Sequence, residues 1–102
     1  MSADGFSFLA GTEVMGSKQP GWLFDQGDGD RSFRRHVAFQ RSFLNPPLVH
    51  LGIAGFDIAN HDAARLTASV ANVTAEGFEI VLSTWLNSRL WRVDVNWLAL
   101  GT

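Results

Sequence analysis

The chain has 102 residues and no cysteine, and 8 Lys and Arg against 10 Asp and Glu give a net charge of −2. Without a basic surplus it is not expected to bind nucleic acid, and without cysteine it has neither disulfides nor thiolate metal ligands. The length fits one domain over residues 1–102. No apolar run approaches the roughly 20 residues of a membrane-spanning helix. The N-terminus lacks the basic and apolar regions of a signal peptide, so we expect no membrane insertion and assign no compartment.

Alternating apolar and polar residues in the first half of the chain predict three β-strands. These strands are Gly5 to Met15, Arg34 to Phe39, and Leu48 to Ala54. Glycine-rich polar segments at 16–21 and 25–30 predict loops, with a short apolar segment at 21–24 between them. Pro46 and Pro47 cannot donate to a ladder of backbone hydrogen bonds, so they form a connector before the third strand.

The second half of the chain predicts three more strands. They are Arg65 to Val73, Phe78 to Trp85, and Trp91 to Leu100. Gly55 to Asp62 is expected to be a bend and a loop, and Thr74 to Gly77 a hairpin turn. The tight turn 86–89 joins the last two strands. Six short strands separated by turns are typical of an antiparallel β-sandwich or barrel.

Three of the four tryptophans fall in the last two strands, and Trp85 is out of phase with its neighbours. Trp91 and Trp97 alternate with polar residues on an apolar face, so we expect both to be buried. Trp85 shares the face of Glu79 and Ser83 instead. Either it exposes its ring as a stacking platform for a sugar, or a bulge shifts the pleat and buries it. The pattern favours neither.

The polar residues carry no motif for catalysis or for metal binding. In the acidic loop that begins at Asp25, the twelfth residue is His36 where an EF-hand requires Glu. The three histidines lie in separate segments without the spacing of metal ligands, and no G-x-S-x-G elbow is present. We therefore expect no enzyme, no metal site and no cofactor. Arg65, taken alone, is a surface arginine.

Read together, several segments resemble the H-type lectin domain, a family of agglutinins that bind N-acetylgalactosamine. The segments that carry the resemblance are Gly21-Trp22, Val37-Ala38-Phe39, Phe43 with Pro46-Pro47 and Val49, Ala64-Arg65-Leu66, Val73 to Phe78, Thr84-Trp85, and Trp97 with the alternating residues after it. The resemblance implies an all-β, six-stranded antiparallel β-sandwich that assembles as a homotrimer, possibly a hexamer of two stacked trimers. It also implies a shallow, metal-free site for galactose-type glycans near the seam between subunits, and a role in cell adhesion.

Carried over residue by residue, the resemblance implies a site around Trp85, which packs against the sugar, and Arg65, which bonds its hydroxyls. The carboxylate that accepts hydroxyl protons falls on Asp28, with Asp30 the competing choice. Leu86 stands where the family typically has a sugar-binding histidine, and the adjacent Asn87 is a candidate replacement. This departure leaves a second function open, a trimeric structural or assembly domain whose sugar site is lost or altered.

Overall fold

The computed structural model describes residues 5–59 and 63–102, and within them the chain forms six β-strands and no helix. The strands are β1 (Ser7–Gly16), β2 (Arg31–Ala38), β3 (Leu48–Ile58), β4 (Thr67–Ala71), β5 (Gly77–Thr84) and β6 (Leu90–Gly101). In this part of the chain, no helix has the length and hydrophobicity needed to cross a membrane. The predicted all-β class is confirmed.

The six strands form two antiparallel three-stranded sheets. One has the order β1-β6-β3 and the other β2-β5-β4. Alternate side chains from both sheets point into one apolar core. The predicted six-stranded antiparallel sandwich is therefore confirmed.

The turn between β5 and β6 connects the two sheets and does not close a hairpin. Both edges of β5 are occupied, by β2 along residues 31–38 and by β4 along residues 67–71. The chain therefore crosses over after Thr84, and β6 becomes the central strand of the opposite sheet. The predicted turn at Thr74 to Gly77 does close a hairpin, between β4 and β5, with the Thr74 amide bonded to the Gly77 carbonyl at 2.8 Å.

Strand β3 is longer than its sequence pattern predicts. The bend expected from Gly55 to Asp62 is wrong for Gly55 to Ile58, which continue the strand, while residues 60–62 lie outside the described part of the chain. The ladder to β6 shifts register between Ile53 and Gly55. A β-bulge absorbs one extra residue and breaks the alternation without ending the strand, which explains why the pattern suggested an end at Ala54.

Two aromatic clusters fill the core, one toward each end. Phe39, Phe43, Phe78 and Trp97 pack with ring centroids 5.2–5.8 Å apart. At the other end, Trp22 packs against Phe24 and Phe33, with centroids at 4.6 and 5.1 Å. The short apolar segment 21–24, between the two glycine-rich loops, thus covers the core at one end of the sandwich.

The two tryptophans of β6 have different environments. Trp97 is buried as expected, but Trp91 is 39% exposed, so the expectation that it packs inside is wrong. In the ladder to β3, Leu90 pairs with Ile58 and Arg92 with Asp57, which leaves Trp91 unpaired in a second bulge. Leu90 takes the core position, and the irregularity turns the indole outward.

Candidate functional site

Three segments that carry the predicted site residues meet at the Trp22 end of the sandwich. Arg31 opens β2 and pairs with Thr84, which closes β5. The loop before β2 and the turn after β5 therefore leave the sheet side by side. The segment before β4 joins them through the side chain of Ser88, which accepts the backbone N–H of Arg65 at 3.0 Å.

The aromatic cluster around Trp22 lies beneath these segments and is hydrogen-bonded to the first residue of β6. The indole Nε1 of Trp22 donates to the Leu90 carbonyl at 3.0 Å, and the Leu90 amide donates to the Phe24 carbonyl at 2.9 Å. Both groups of the Leu90 backbone are thus satisfied by the segment around residues 22–24. These two hydrogen bonds connect the residue that follows the turn 86–89 to the buried aromatic cluster.

Arg65 and Asn87, predicted from separate parts of the sequence, are in contact. Nη1 of Arg65 lies 3.3 Å from Oδ1 of Asn87, 3.3 Å from the Ala63 carbonyl and 3.4 Å from Oγ of Ser88. These bonds fix the guanidinium against the turn. Among the described residues, all three bonds are made by one terminal nitrogen, Nη1.

Trp85 and Asp30 line one open depression of about 360 Å³. Strand β5 ends at Thr84, so Trp85 is the first residue outside the ladder, and its ring is half-buried. The ring is therefore neither fully exposed nor fully buried, which are the two alternatives that the pattern leaves open. A half-buried indole keeps its orientation through packing and still presents area to a ligand.

Asp28 lies on the exposed loop before β2 and forms an ion pair with Arg89, at 3.0 Å between Oδ1 and Nη2. Its side chain is 71% exposed. A solvent-exposed pair of this kind contributes about 0–1 kcal/mol to stability. The carboxylate can therefore exchange this partner for a ligand at small cost.

Leu86 stands where a histidine is expected. Its side chain is exposed, and its backbone carbonyl accepts two hydrogen bonds. Its φ is +57°, in the left-handed region, and its side chain is 56% exposed. Its carbonyl accepts the Gly29 amide at 2.8 Å and Nη2 of Arg31 at 2.9 Å. The turn is thus bonded to the loop that carries both candidate carboxylates.

Sequence reasoning missed Arg89 and Trp91 at this end of the molecule. Arg89 precedes β6 and pairs with Asp28. Trp91 lines a second depression of about 340 Å³ together with Asp57 and Arg92. The only sequence signal for Arg89 is its position in the predicted turn. For Trp91 no signal exists, because its exposure depends on the bulge.

This end of the sandwich carries hydrogen-bond donors, carboxylate acceptors and an indole. The structure brings Trp85 and Asp30 to one depression, whereas Arg65, Asn87 and Asp28 are not among the residues that line it. In residues 5–59 and 63–102, no group of three or more histidine, aspartate or glutamate side chains is arranged to hold a metal ion.

Comparison with known families places most of the chain in one family. The model of the H-type lectin domain matches residues 34–100. The matched segment includes all of β3, β4 and β5, β6 except Gly101, most of β2, and four of the six predicted site residues.

Two curated relatives match over part of their lengths. The protein "ATP synthase subunits region ORF 7" of Fuscovulum blasticum is 36% identical over 76 residues, which cover 74% of this chain and 66% of that protein. Discoidin-2 of Dictyostelium discoideum is 29% identical over 76 residues, which cover 74% of this chain and 30% of that protein. The aligned part of this chain thus spans less than two thirds of each relative.

Among solved structures, the fold is similar to that of discoidin II from Dictyostelium discoideum. One native structure of the recombinant protein superposes with a TM-score of 0.82 and 26% identity, over 98% of this chain and 38% of that one. An N-truncated R1-type pyocin tail fiber superposes with a TM-score of 0.55 and 15% identity, over 93% of this chain and 71% of that one. The second likeness shows the fold alone.

Proposed function

The chain belongs to the H-type lectin domain family, and we propose that it binds galactose or N-acetylgalactosamine units of glycans at the Trp22 end of the sandwich. The single observation that carries the proposal is the half-buried ring of Trp85 beside Asp30 in an open depression. The family and the fold are those of lectins, and the proposed activity is binding without catalysis.

In the proposed complex, each side chain makes a different kind of contact. The Trp85 ring covers the apolar face of the sugar, where C–H groups of the pyranose stack on the indole. The guanidinium of Arg65 bonds a pair of neighbouring hydroxyls, since a guanidinium fork fits two adjacent acceptors. Asp28 or Asp30 accepts a proton from a further hydroxyl. Asn87, already bonded to Arg65, orients the fork.

A site of this shape binds a single sugar weakly, because an open depression removes little of the ligand from water. We infer a dissociation constant between about 1 mM and 1 μM for one site. Several sites on one assembly raise the effective affinity when the glycan spacing matches their separation.

The proposed assembly is a homotrimer, or a hexamer of two stacked trimers. It is supported by the outer face of the β1-β6-β3 sheet, where Phe8, Leu100 and Leu48 lie in one row across the three strands. Phe8 and Leu48 are both exposed. Apolar side chains at the surface of a sheet favour contact with another subunit.

The test is titration of the chain with galactose, N-acetylgalactosamine and glucose, combined with a glycan array. Trp85→Ala and Arg65→Ala should each weaken galactose-type binding at least tenfold, because each removes a principal contact. Arg34→Ala is the matched control, since it removes an exposed arginine of β2 that pairs with Glu79. Equal binding by the parent and both site variants would show that the site lies elsewhere.

The second candidate function is a trimeric structural or assembly domain with an altered sugar site. It is favoured by Leu86, whose exposed apolar side chain offers no hydrogen bond to a ligand. A stable trimer in light scattering that binds no glycan at millimolar concentrations selects this function over the first.

A further inference from the structure

Three polar side chains are buried among the described residues, and all three lie at the same end of the sandwich as the proposed site. They are Arg31, Thr84 and Ser88. Burying a polar group costs free energy unless it is hydrogen-bonded, so such residues in a small core point to a specific role. Each of the three bonds a backbone group of a segment that carries a proposed site residue.

Arg31 makes the most extensive set of these bonds. Its Nε donates to the Gly29 carbonyl at 3.0 Å, its Nη1 to the Gln26 carbonyl at 3.0 Å, and its Nη2 to the Leu86 carbonyl at 2.9 Å. Two of these acceptors belong to the loop before β2 and the third to the turn after β5. The guanidinium therefore bridges the two segments with three separate nitrogens.

The Leu86 carbonyl is the point at which the two segments meet. It accepts Arg31 from the side-chain fork and the Gly29 amide from the loop backbone. Leu86 is in the left-handed region, which an ordinary L-residue occupies only when its surroundings impose it. The two bonds to its carbonyl are interactions that hold this conformation.

Thr84 and Ser88 hydrogen-bond the backbone of the third segment, residues 63–65, at the same end of the sandwich. Oγ1 of Thr84 donates to the Arg65 carbonyl. Oγ of Ser88 accepts the Arg65 amide at 3.0 Å and donates to the Ala63 carbonyl at 3.3 Å. Thr84 is also the cross-strand partner of Arg31, so one residue pair of the β2-β5 ladder anchors all three segments.

We propose that Arg31 is a positioning residue, which clamps the loop carrying Asp28 and Asp30 to the turn carrying Trp85 and Asn87 and so presets the sugar site before the ligand arrives. This inference rests on the proposed function. A weak site gains little free energy on binding, so the cost of ordering two loops would take away much of that gain. Loops that are already ordered before binding therefore raise the affinity of the site. Arg31 is 8% exposed, and it also lines the depression that holds Trp85 and Asp30. Its positioning role rests on the three bonds to the two loops.

The test compares Arg31→Lys with Arg34→Lys. Lysine keeps the positive charge but has one nitrogen, which cannot reach three carbonyls in different directions. Arg34 lies on the same strand with an exposed side chain, so its replacement controls for the chemical change. The readouts are hydrogen exchange of the Gly29 amide, the dissociation constant for galactose-type sugars, and the melting temperature.

We expect Arg31→Lys to exchange the Gly29 amide at least tenfold faster, to bind sugar about tenfold more weakly and to melt at a lower temperature, because carbonyls that Arg31 bonds lose their donor. Arg34→Lys should change none of these. Unchanged exchange at Gly29 overturns the clamp. Faster exchange with unchanged sugar affinity overturns the positioning role.

Two further results remain decisive. If Arg31→Lys does not fold, exchange of the Nε–H groups in the parent protein decides, because a clamped Arg31 must exchange much more slowly than Arg34, and equal rates overturn the clamp. If the parent binds no sugar, the proposed function fails. The Gly29 exchange rate then still accepts or rejects the clamp by itself.

Discussion

Replacing Leu86 by histidine should strengthen sugar binding without weakening the fold. The Leu86 side chain is 56% exposed and its φ is +57°. Histidine occupies the left-handed region more readily than leucine does, and little core contact is lost. The Gly29 amide and the Arg31 side chain both donate to the backbone carbonyl of residue 86, so these bonds persist in the variant.

The expected gain is one hydrogen bond to a sugar hydroxyl. A net hydrogen bond contributes about 1 kcal/mol, which corresponds to about a fivefold lower dissociation constant. Isothermal titration with galactose and N-acetylgalactosamine measures this gain, and urea unfolding measures stability in parallel.

Leu86→Asn is the matched control for this experiment. Asparagine also favours the left-handed region, but its side chain is shorter, so it should improve the backbone energy without the full gain in affinity. The reasoning is refuted if Leu86→His is folded, as stable as the parent, and binds both sugars no more tightly.

Two other substitutions test the fold and the assembly. Gly77→Ala should lower the free energy of unfolding by about 1–3 kcal/mol, because its Cβ would clash with the Val37 carbonyl oxygen. Gly52→Ala, with nothing within 4 Å of its Cβ, should cost far less in urea unfolding, and equal losses would contradict the close approach. Phe8→Lys, in the exposed row of the β1-β6-β3 sheet, should convert the proposed trimer to a monomer, whereas an unchanged mass in light scattering would place the interface on another surface.

The strand content of this protein could be predicted from local pattern. Alternation places Val37 of β2, and Phe39 directly after the strand, on the core side, and a polar turn separates β4 from β5. Local alternation does not state which strands pair, because each strand has two edges and its partner is often distant in sequence. The pattern therefore does not predict that the chain crosses to the other sheet after Thr84.

The bulges are the second feature that the pattern does not predict. Both lie in the β3-β6 ladder, between Ile53 and Gly55 and at Trp91. An extra residue in one strand reverses the facing of the side chains on one side of it. For this reason the pattern predicts β3 too short and places Trp91 in the core, although its indole lies at the surface.

For the candidate site, the sequence by itself determined which chemical groups are present, and Trp85 stood out because it broke the alternation of its strand. Only the tertiary structure decided that Arg65 contacts Asn87, that Asp28 pairs with Arg89, and that Arg31 is buried. The physical reason is that these contacts join segments 22 to 61 residues apart in sequence, and their geometry depends on how two sheets stack.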